Sequence, residues 1–412
     1  MSRAVSPPVK PRRFRHRIRV VWVVGLVLWT GLSMAAGIWI YQAKWHVKVS
    51  RLLDERNRQL GPLQSRGTIL EFDRHLLETL EPEHRFQATT RQEWQTWRTD
   101  LTARLAQLLK LERLPRDFAP SAQVVEHVEL EGVKREKIWL TTEPGLHIPL
   151  YLFIPLDAAP PHPAVIVFHG HGLGKRETAG ELHTYQNRAA LEVAKAGFVT
   201  VAPDNRGFGE LGWSGRSYDV IHHKDIIINL MMGRTALGAF LHDAQKLVDY
   251  LQTRPEVDAT RIATAGCSLG GVLAVWSAAL DSRIQAVVSS ATFGSPSRQG
   301  MASRLLHVSE EMLDHYHKLP VYTEFHVPGL FQYANATDVA GLIAPRPMLF
   351  DIDAGDKPSY PDVMAAIGKV YGLVGASDRL DIFLHDNGHT FSVEAAIAWL
   401  RRWLKSDTSP SQ

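Results

Sequence analysis

The hexapeptide Gly266-Cys267-Ser268-Leu269-Gly270-Gly271 follows the apolar run Arg261-Ile262-Ala263-Thr264-Ala265 and opens the small-residue segment 272–279. This order predicts a strand, a tight turn and a helix, with Ser268 at the centre of a G-x-S-x-G turn. Such a turn strains the central residue's backbone and lifts its side chain out of the sheet. Glycines flank it because a Cβ there would collide with the neighbouring strand or helix. The chain is thereby restricted to folds in which a sheet strand feeds directly into a helix, and Ser268 becomes a candidate nucleophile. The adjacent Cys267 is a rival, but the turn projects only its central residue, so Cys267 reads as a small buried filler.

The pattern around this turn predicts a parallel sheet. Apolar strands are expected at 164–168, 198–202, 261–265, 285–290, 347–352 and 379–384. Helical stretches near 181–196, 226–252, 269–280, 361–374 and 392–405 separate them. Continuous apolar strands alternating with helices imply an α/β fold, its mostly parallel central sheet flanked by helices on both faces. An antiparallel start is expected at 124–130, 137–142 and 147–154, with Glu143-Pro144-Gly145 as a turn. Upstream, Trp94, Trp97, Leu101, Leu105 and Leu108 recur at spacings of 3 or 4, one face of an amphipathic helix that reads as core packing.

In such sheets the chemistry lies at the carboxyl ends of the strands. The strand ending at Phe168 runs into His169-Gly170-His171-Gly172, a loop able to aim a backbone N–H at the nucleophile. His171 is the expected oxyanion donor, with the N–H of Leu269 as the second. The alternative makes His169 and His171 ordinary loop histidines or metal ligands. The last strand runs into His385-Asp386-Asn387-Gly388-His389, and His389 is the expected general base. His385 competes but reads as still in the strand. The acid is expected after the preceding strand, giving the order Ser, acid, His. Asp356 is favoured there, with Asp353 the alternative and Asp351 and Asp362 less well placed. Arg206, in Asp204-Asn205-Arg206-Gly207-Phe208-Gly209, is expected to brace loops through carboxylate pairing. The pairs His222-His223 and His315-x-His317 show no third carboxylate or cysteine at a recognised spacing, so packed or solvated histidines are expected rather than a metal site.

Taken together these motifs resemble those of the α/β-hydrolases, in particular the dienelactone hydrolase-like and acetyl xylan esterase-like group, over roughly residues 91–405. The resemblance rests on His169-Gly170-His171-Gly172, Asp204-x-Arg206-Gly207-x-Gly209, Gly266-x-Ser268-x-Gly270-Gly271 and Gly388-His389. Val327-Pro328-Gly329-Leu330, Tyr333, Asp338 and Ala344-Pro345-Arg346-Pro347 extend it. It implies a Ser268-His389-Asp356 triad, with His171 donating to the oxyanion and no cofactor or metal. Dienelactone hydrolases proper carry cysteine at the central turn position, where this chain has serine. The expected activity is cleavage of carboxylic esters, acetyl esters of glycans among them. A serine peptidase of the prolyl-oligopeptidase type is the alternative, but there is no room for a propeller domain. A non-catalytic scaffold on the same fold is a further alternative, against which a candidate for every role stands in order. An insertion at 291–345, rich in aromatic residues, is expected to form a cap and set specificity.

Composition matters at the amino terminus. Residues 1–19 hold seven basic and no acidic residues, so the net charge of +3 leaves the remainder at −4. A nucleic-acid binder is expected to show a basic patch in its folded part, so no nucleic-acid partner is expected. Residues 20–43 form a 24-residue uncharged run. At about 1.5 Å per residue the run is long enough to cross the roughly 30 Å hydrocarbon core. An uncleaved signal anchor is expected, with a cytoplasmic leader and an exported catalytic domain. A cleaved signal peptide ending near Ser33-Met34-Ala35 is the alternative. The expected domains are thus 1–19, a basic leader; 20–43, a transmembrane anchor; 44–120, a helical linker and extension; 121–405, the catalytic domain; and 406–412, a disordered tail.

Overall fold

Nine strands form one sheet in the computed structural model, which describes residues 79–212, 219–292, 323–354 and 360–405, together with Phe72, His75 and Leu76. These are β1 (Ser121–Leu130), β2 (Val133–Glu143), β3 (Leu146–Pro155), β4 (His162–Phe168), β5 (Val199–Pro203), β6 (Val257–Cys267), β7 (Ile284–Ser290), β8 (Met348–Asp353) and β9 (Leu380–His385). Their order is β1-β2-β3-β5-β4-β6-β7-β8-β9. The pairs from β1 to β5 are antiparallel and all the others parallel. The expected strands are all present, and β6 begins four residues earlier than its apolar run suggests.

The chain passes from β4 to β5 on one side and then crosses to β6 on the other. The sequence order therefore reverses at β4, and a crevice opens at the carboxyl end of this strand. Both faces of β4 are covered. Ala164, Ile166 and Phe168 enter one core, and Val165 and Val167 enter a second.

The longer helices among the described residues are α1 (Arg91–Leu108), α2 (Ala189–Lys195), α3 (Asp219–Met231), α4 (Ala236–Leu251), α5 (Leu269–Leu280), α6 (Tyr360–Leu373) and α7 (Val393–Leu404). In α1 a capping box starts the helix: Glu93 N donates to Thr90 Oγ1 and Thr90 N to the Glu93 carboxylate. Its stripe is core, as expected, with Leu101 and Leu105 fully buried in the cluster that also holds residues of α4 and α5. Arg346 donates to the carbonyls of Ala278, Asp281 and Ile284, which ties down the end of α5.

Two helical expectations are corrected. The stretch 226–252 is two helices, α3 and α4. They are broken where Gly233 takes φ +70° and Thr235 Oγ1 accepts from Gly238 N, starting α4 afresh. The stretch 181–196 is helical only over α2, because Asn187 and Arg188 adopt left-handed φ values of 48° and 55°. The preceding backbone instead bonds the loop after β9.

The leader, the 20–43 span, residues 44–71 of the extension, His315, His317 and the tail lie outside the described residues. Among the described residues no helix is long and apolar enough to cross a membrane.

Candidate active site

At the end of β6, Ser268 adopts φ 59° and ψ −123°, outside the regions favoured by side-chain-bearing residues. Two backbone hydrogen bonds hold it there: Ser268 N donates to Ser290 O at 2.9 Å, and Val272 N donates to Ser268 O at 3.1 Å. Space fixes the flanking glycines. A Cβ on Gly270 would lie 2.1 Å from Phe168 O, and one on Gly266 would lie 2.4 Å from the Gly270 carbonyl carbon. Ser268 is half-buried, whereas Cys267 is completely buried as the last residue of β6, the packed position expected for it. Leu269 opens α5, so its N–H is among the first-turn donors that lack an intrahelical acceptor.

The loop after β4 lies back to back with this turn. Phe168 pairs with Gly266 in register, and a Cβ on Gly170 would come within 2.8 Å of Cys267 O. This brings the His171 backbone and the Ser268 turn to the ends of neighbouring strands. His169 is not a ligand: it is completely buried, its Nδ1–H faces Gly170 O at 2.7 Å, and its Nε2 accepts from Asn205 N at 3.0 Å. Burial pushes its pKa down to about 4, which agrees with a neutral ring that braces β4 against β5. Beneath the loop lies Glu177, whose Oε2 would be 2.3 Å from a Cβ on Gly172. Burial raises its carboxyl to about 7.

His389 is exposed on the loop after β9. Two links carry this loop to the serine turn. Ser290, which accepts from Ser268 N, donates through Oγ to Thr390 O at 3.0 Å. Tyr185 lies against the His389 ring at 5.2 Å between centroids and donates its hydroxyl to His171 O at 2.9 Å. Phe391 N and Thr390 Oγ1 both donate to Tyr185 O. Tyr185 therefore joins the two loops expected to carry the base and the oxyanion donor, a role that nothing in its local sequence signals.

Of the candidate acids, Asp351 lies within β8 and is buried, accepting from Ser392 N at 2.8 Å. His385 lies within β9 as expected. Its Nδ1 accepts from Asn387 N, leaving Nε2 to face Asp351 Oδ1 at 3.2 Å. Asp353 accepts from Gly388 N, directly before His389. Asp362 is exposed in the first turn of α6, and Asp356 lies outside the described residues.

Residues 43–396 match the Abhydrolase family. The chain belongs to this family. It is 29% identical over 271 residues to the candidate hydrolase YtaP of Bacillus subtilis (strain 168), covering 62% of this chain and 83% of YtaP. A candidate acetyl xylan esterase from Bacteroides fragilis NCTC 9343 shares its fold with a TM-score of 0.72 at 19% identity, covering 84% of this chain and 97% of that one. The methylesterase BT1017 does so with a TM-score of 0.58 at 20% identity, covering 82% and 69%. The α/β-hydrolase resemblance read from the motifs agrees with this membership.

In this Abhydrolase chain the Asp204–Gly209 motif forms the scaffold. Asp204 Oδ1 accepts from Lys175 N and Oδ2 from Lys175 Nζ, each at 2.7 Å, and both side chains are buried. Gly209 must be glycine because a Cβ would lie 2.1 Å from Asp204 Oδ1. Arg206 pairs with carboxylates as expected: Nε and Nη2 donate to Asp243 at 2.6 and 2.7 Å, and Nη2 donates to Glu143 at 2.6 Å. The expectation that His222 lacks a carboxylate is corrected. Glu324, 102 residues downstream, brings Oε2 to 3.2 Å from His222 Nε2 and Oε1 to 3.0 Å from His171 Nε2. Burial alone would raise the Glu324 carboxyl, but the two histidines beside it pull it down to about 2.

In the described part of the insertion, Phe325 is core. Tyr333 packs on His84 and under Arg104.

Proposed function

We propose that this chain is a serine hydrolase that cleaves carboxylic esters through an acyl-enzyme, with Ser268 as nucleophile, His389 as general base and acid, and Asp356 as the carboxylate that orients His389. Ser268 Oγ attacks the ester carbonyl while His389 takes its proton. The backbone N–H groups of His171 and Leu269 receive the oxyanion. Collapse of the tetrahedral intermediate expels the alcohol, which takes the proton from His389. Water then deacylates Ser268 by the same sequence in reverse, releasing the acid and restoring the enzyme. No group beyond these residues is required for the step.

The observation that carries this reading is the backbone of Ser268. A side-chain-bearing residue at φ 59° and ψ −123°, wedged between glycines that tolerate no Cβ, holds strain that packing gives no reason to retain. Strain of this kind marks a site where a side chain must be presented. The similarity to a candidate acetyl xylan esterase and to a methylesterase supports ester carbonyls as the target class, glycan esters among them. The family match begins at residue 43, where the uncharged 20–43 run ends. This supports that run as an anchor holding an exported catalytic domain at the membrane.

The test is hydrolysis of aryl acetates, acetylated xylan and a methyl-esterified uronic acid by the purified chain. Release of acetate or methanol that disappears in Ser268→Ala supports the reading. Turnover of peptide amides without ester turnover contradicts it.

A further inference from the structure

Three residues from separate parts of the chain converge beside the serine turn: His171 in the loop after β4, His222 in α3, and Glu324 in a short helical turn at 323–325. Their donor atoms lie within 4.8 Å of one another. The Glu324 side chain is completely buried and that of His222 is 2% exposed. Two features distinguish this cluster from ordinary ion pairing. First, Glu324 Oε1 is 3.0 Å from His171 Nε2, yet it accepts no hydrogen bond of acceptable geometry among the described residues. The two atoms share a neighbourhood without pointing at each other. Second, His222 Nδ1 faces the carbonyl of Arg206 at 3.4 Å. A carbonyl can only accept, so Nδ1 carries the proton there, and Nε2 is the ring atom that faces the carboxylate.

An imidazole held through its other N–H by a backbone carbonyl is the usual outer support of a metal-ligating histidine. Here the supporting carbonyl belongs to Arg206, itself fixed by Asp243 and Glu143. Apolar rings close the surroundings: Phe208 lies 4.5 Å from the His222 ring, and Phe240 stacks on it at 6.0 Å and 8°. Ligand atoms around a tetrahedral zinc lie about 3.3 Å apart, given bond lengths near 2.0–2.2 Å. The separations of 3.0 and 3.2 Å, one to each carboxylate oxygen, are close to that value, and the three donor atoms lie within 4.8 Å of one another.

We propose that His171, His222 and Glu324 form a binding site for a first-row divalent cation, zinc in the first instance, through the two Nε2 atoms and the carboxylate. Two imidazoles and one carboxylate suit zinc, cobalt and nickel and are poor for magnesium or calcium. The ion ties the loop after β4 to α3 and to the 323–325 turn, and leaves one coordination position for water. The inference does not depend on the acyl-transfer reading, since it concerns binding alone.

The purified full chain, stripped with a chelator, is titrated with zinc against a chromophoric competitor and, separately, with cobalt followed by visible absorption. The expected result is one zinc per chain and an intense tetrahedral cobalt spectrum. Glu324→Gln and His222→Gln are each expected to lower zinc affinity by at least about 100-fold. Circular dichroism checks that the variants fold. If either does not, the wild-type cobalt spectrum decides. Failure of the wild type to take up zinc or cobalt at tens of micromolar overturns the proposal. So does binding that both folded variants retain at full strength, because the ion then lies elsewhere.

Discussion

Replacing Ser268 by glycine and by alanine separates the strain at the turn from the chemistry of the hydroxyl. Both variants remove Oγ and any hydrogen bond it makes, so their difference isolates the backbone. At φ 59° and ψ −123° a residue with a Cβ costs about 1–3 kcal/mol relative to an unstrained conformation. Glycine relieves that cost and returns roughly 0.5–1 kcal/mol through its more flexible unfolded state. Ser268→Gly should therefore be more stable than Ser268→Ala by about 1 kcal/mol, and by up to about 2.5 kcal/mol. Urea denaturation of the two variants measures the difference, read as a higher midpoint at unchanged slope. Equal stability, or a less stable glycine variant, would refute the claim that the fold stores strain at Ser268.

Glu177 offers a pH test. Its folded-state pKa, near 7 through burial, is above the ordinary 4.5, so its contribution is fully present below about pH 4.5 and is lost as pH rises through 7. The loss is on the order of 2–3 kcal/mol, and Glu177→Gln should be more stable than wild type at pH 8 but not at pH 5 in paired denaturation curves. Arg206→Met leaves Asp243 without the guanidinium and Glu143 with Arg234 alone. It should cost about 3–5 kcal/mol, and a loss under 1 kcal/mol would contradict the bracing role. Leu101→Ala should cost about 2–5 kcal/mol in a thermal melt, because α1 is core, and a neutral result would detach α1 from it. Asp356→Asn should lower kcat by several orders of magnitude, as expected for a residue that sets the base's tautomer. Asp353→Asn, which disturbs the Gly388 contact, should have a much smaller effect in the same ester assay.

What could be read from the sequence was what neighbouring residues dictate. The strand, turn and helix around Ser268 follow from apolar runs and from glycines that admit no Cβ, and the parallel strands follow from their unbroken hydrophobicity. Arg206 was legible as a brace because a buried guanidinium needs carboxylates, although Glu143 and Asp243 could not be singled out in advance. Tyr185 was hidden in a stretch with helical composition. Its backbone is spent on Thr390 and Phe391, some 200 residues away, and only the left-handed Asn187-Arg188 pair hints at the break. Glu324 was hidden for a similar reason: its partners are about 100 and 150 residues upstream, beyond any motif spacing. The apolar stripe of α1 was legible as packing, but its inclusion in the same core as α4 and α5 depends on long-range contacts.

The central claim is that Ser268 is the nucleophile. Treating the purified chain with a fluorophosphonate probe and mapping the labelled residue by mass spectrometry tests it most directly, with Ser268→Ala alongside. Stoichiometric labelling at Ser268, lost in Ser268→Ala together with ester hydrolysis, is the predicted result. Labelling that persists in Ser268→Ala, or a wild-type chain that hydrolyses esters without ever being labelled, would contradict it.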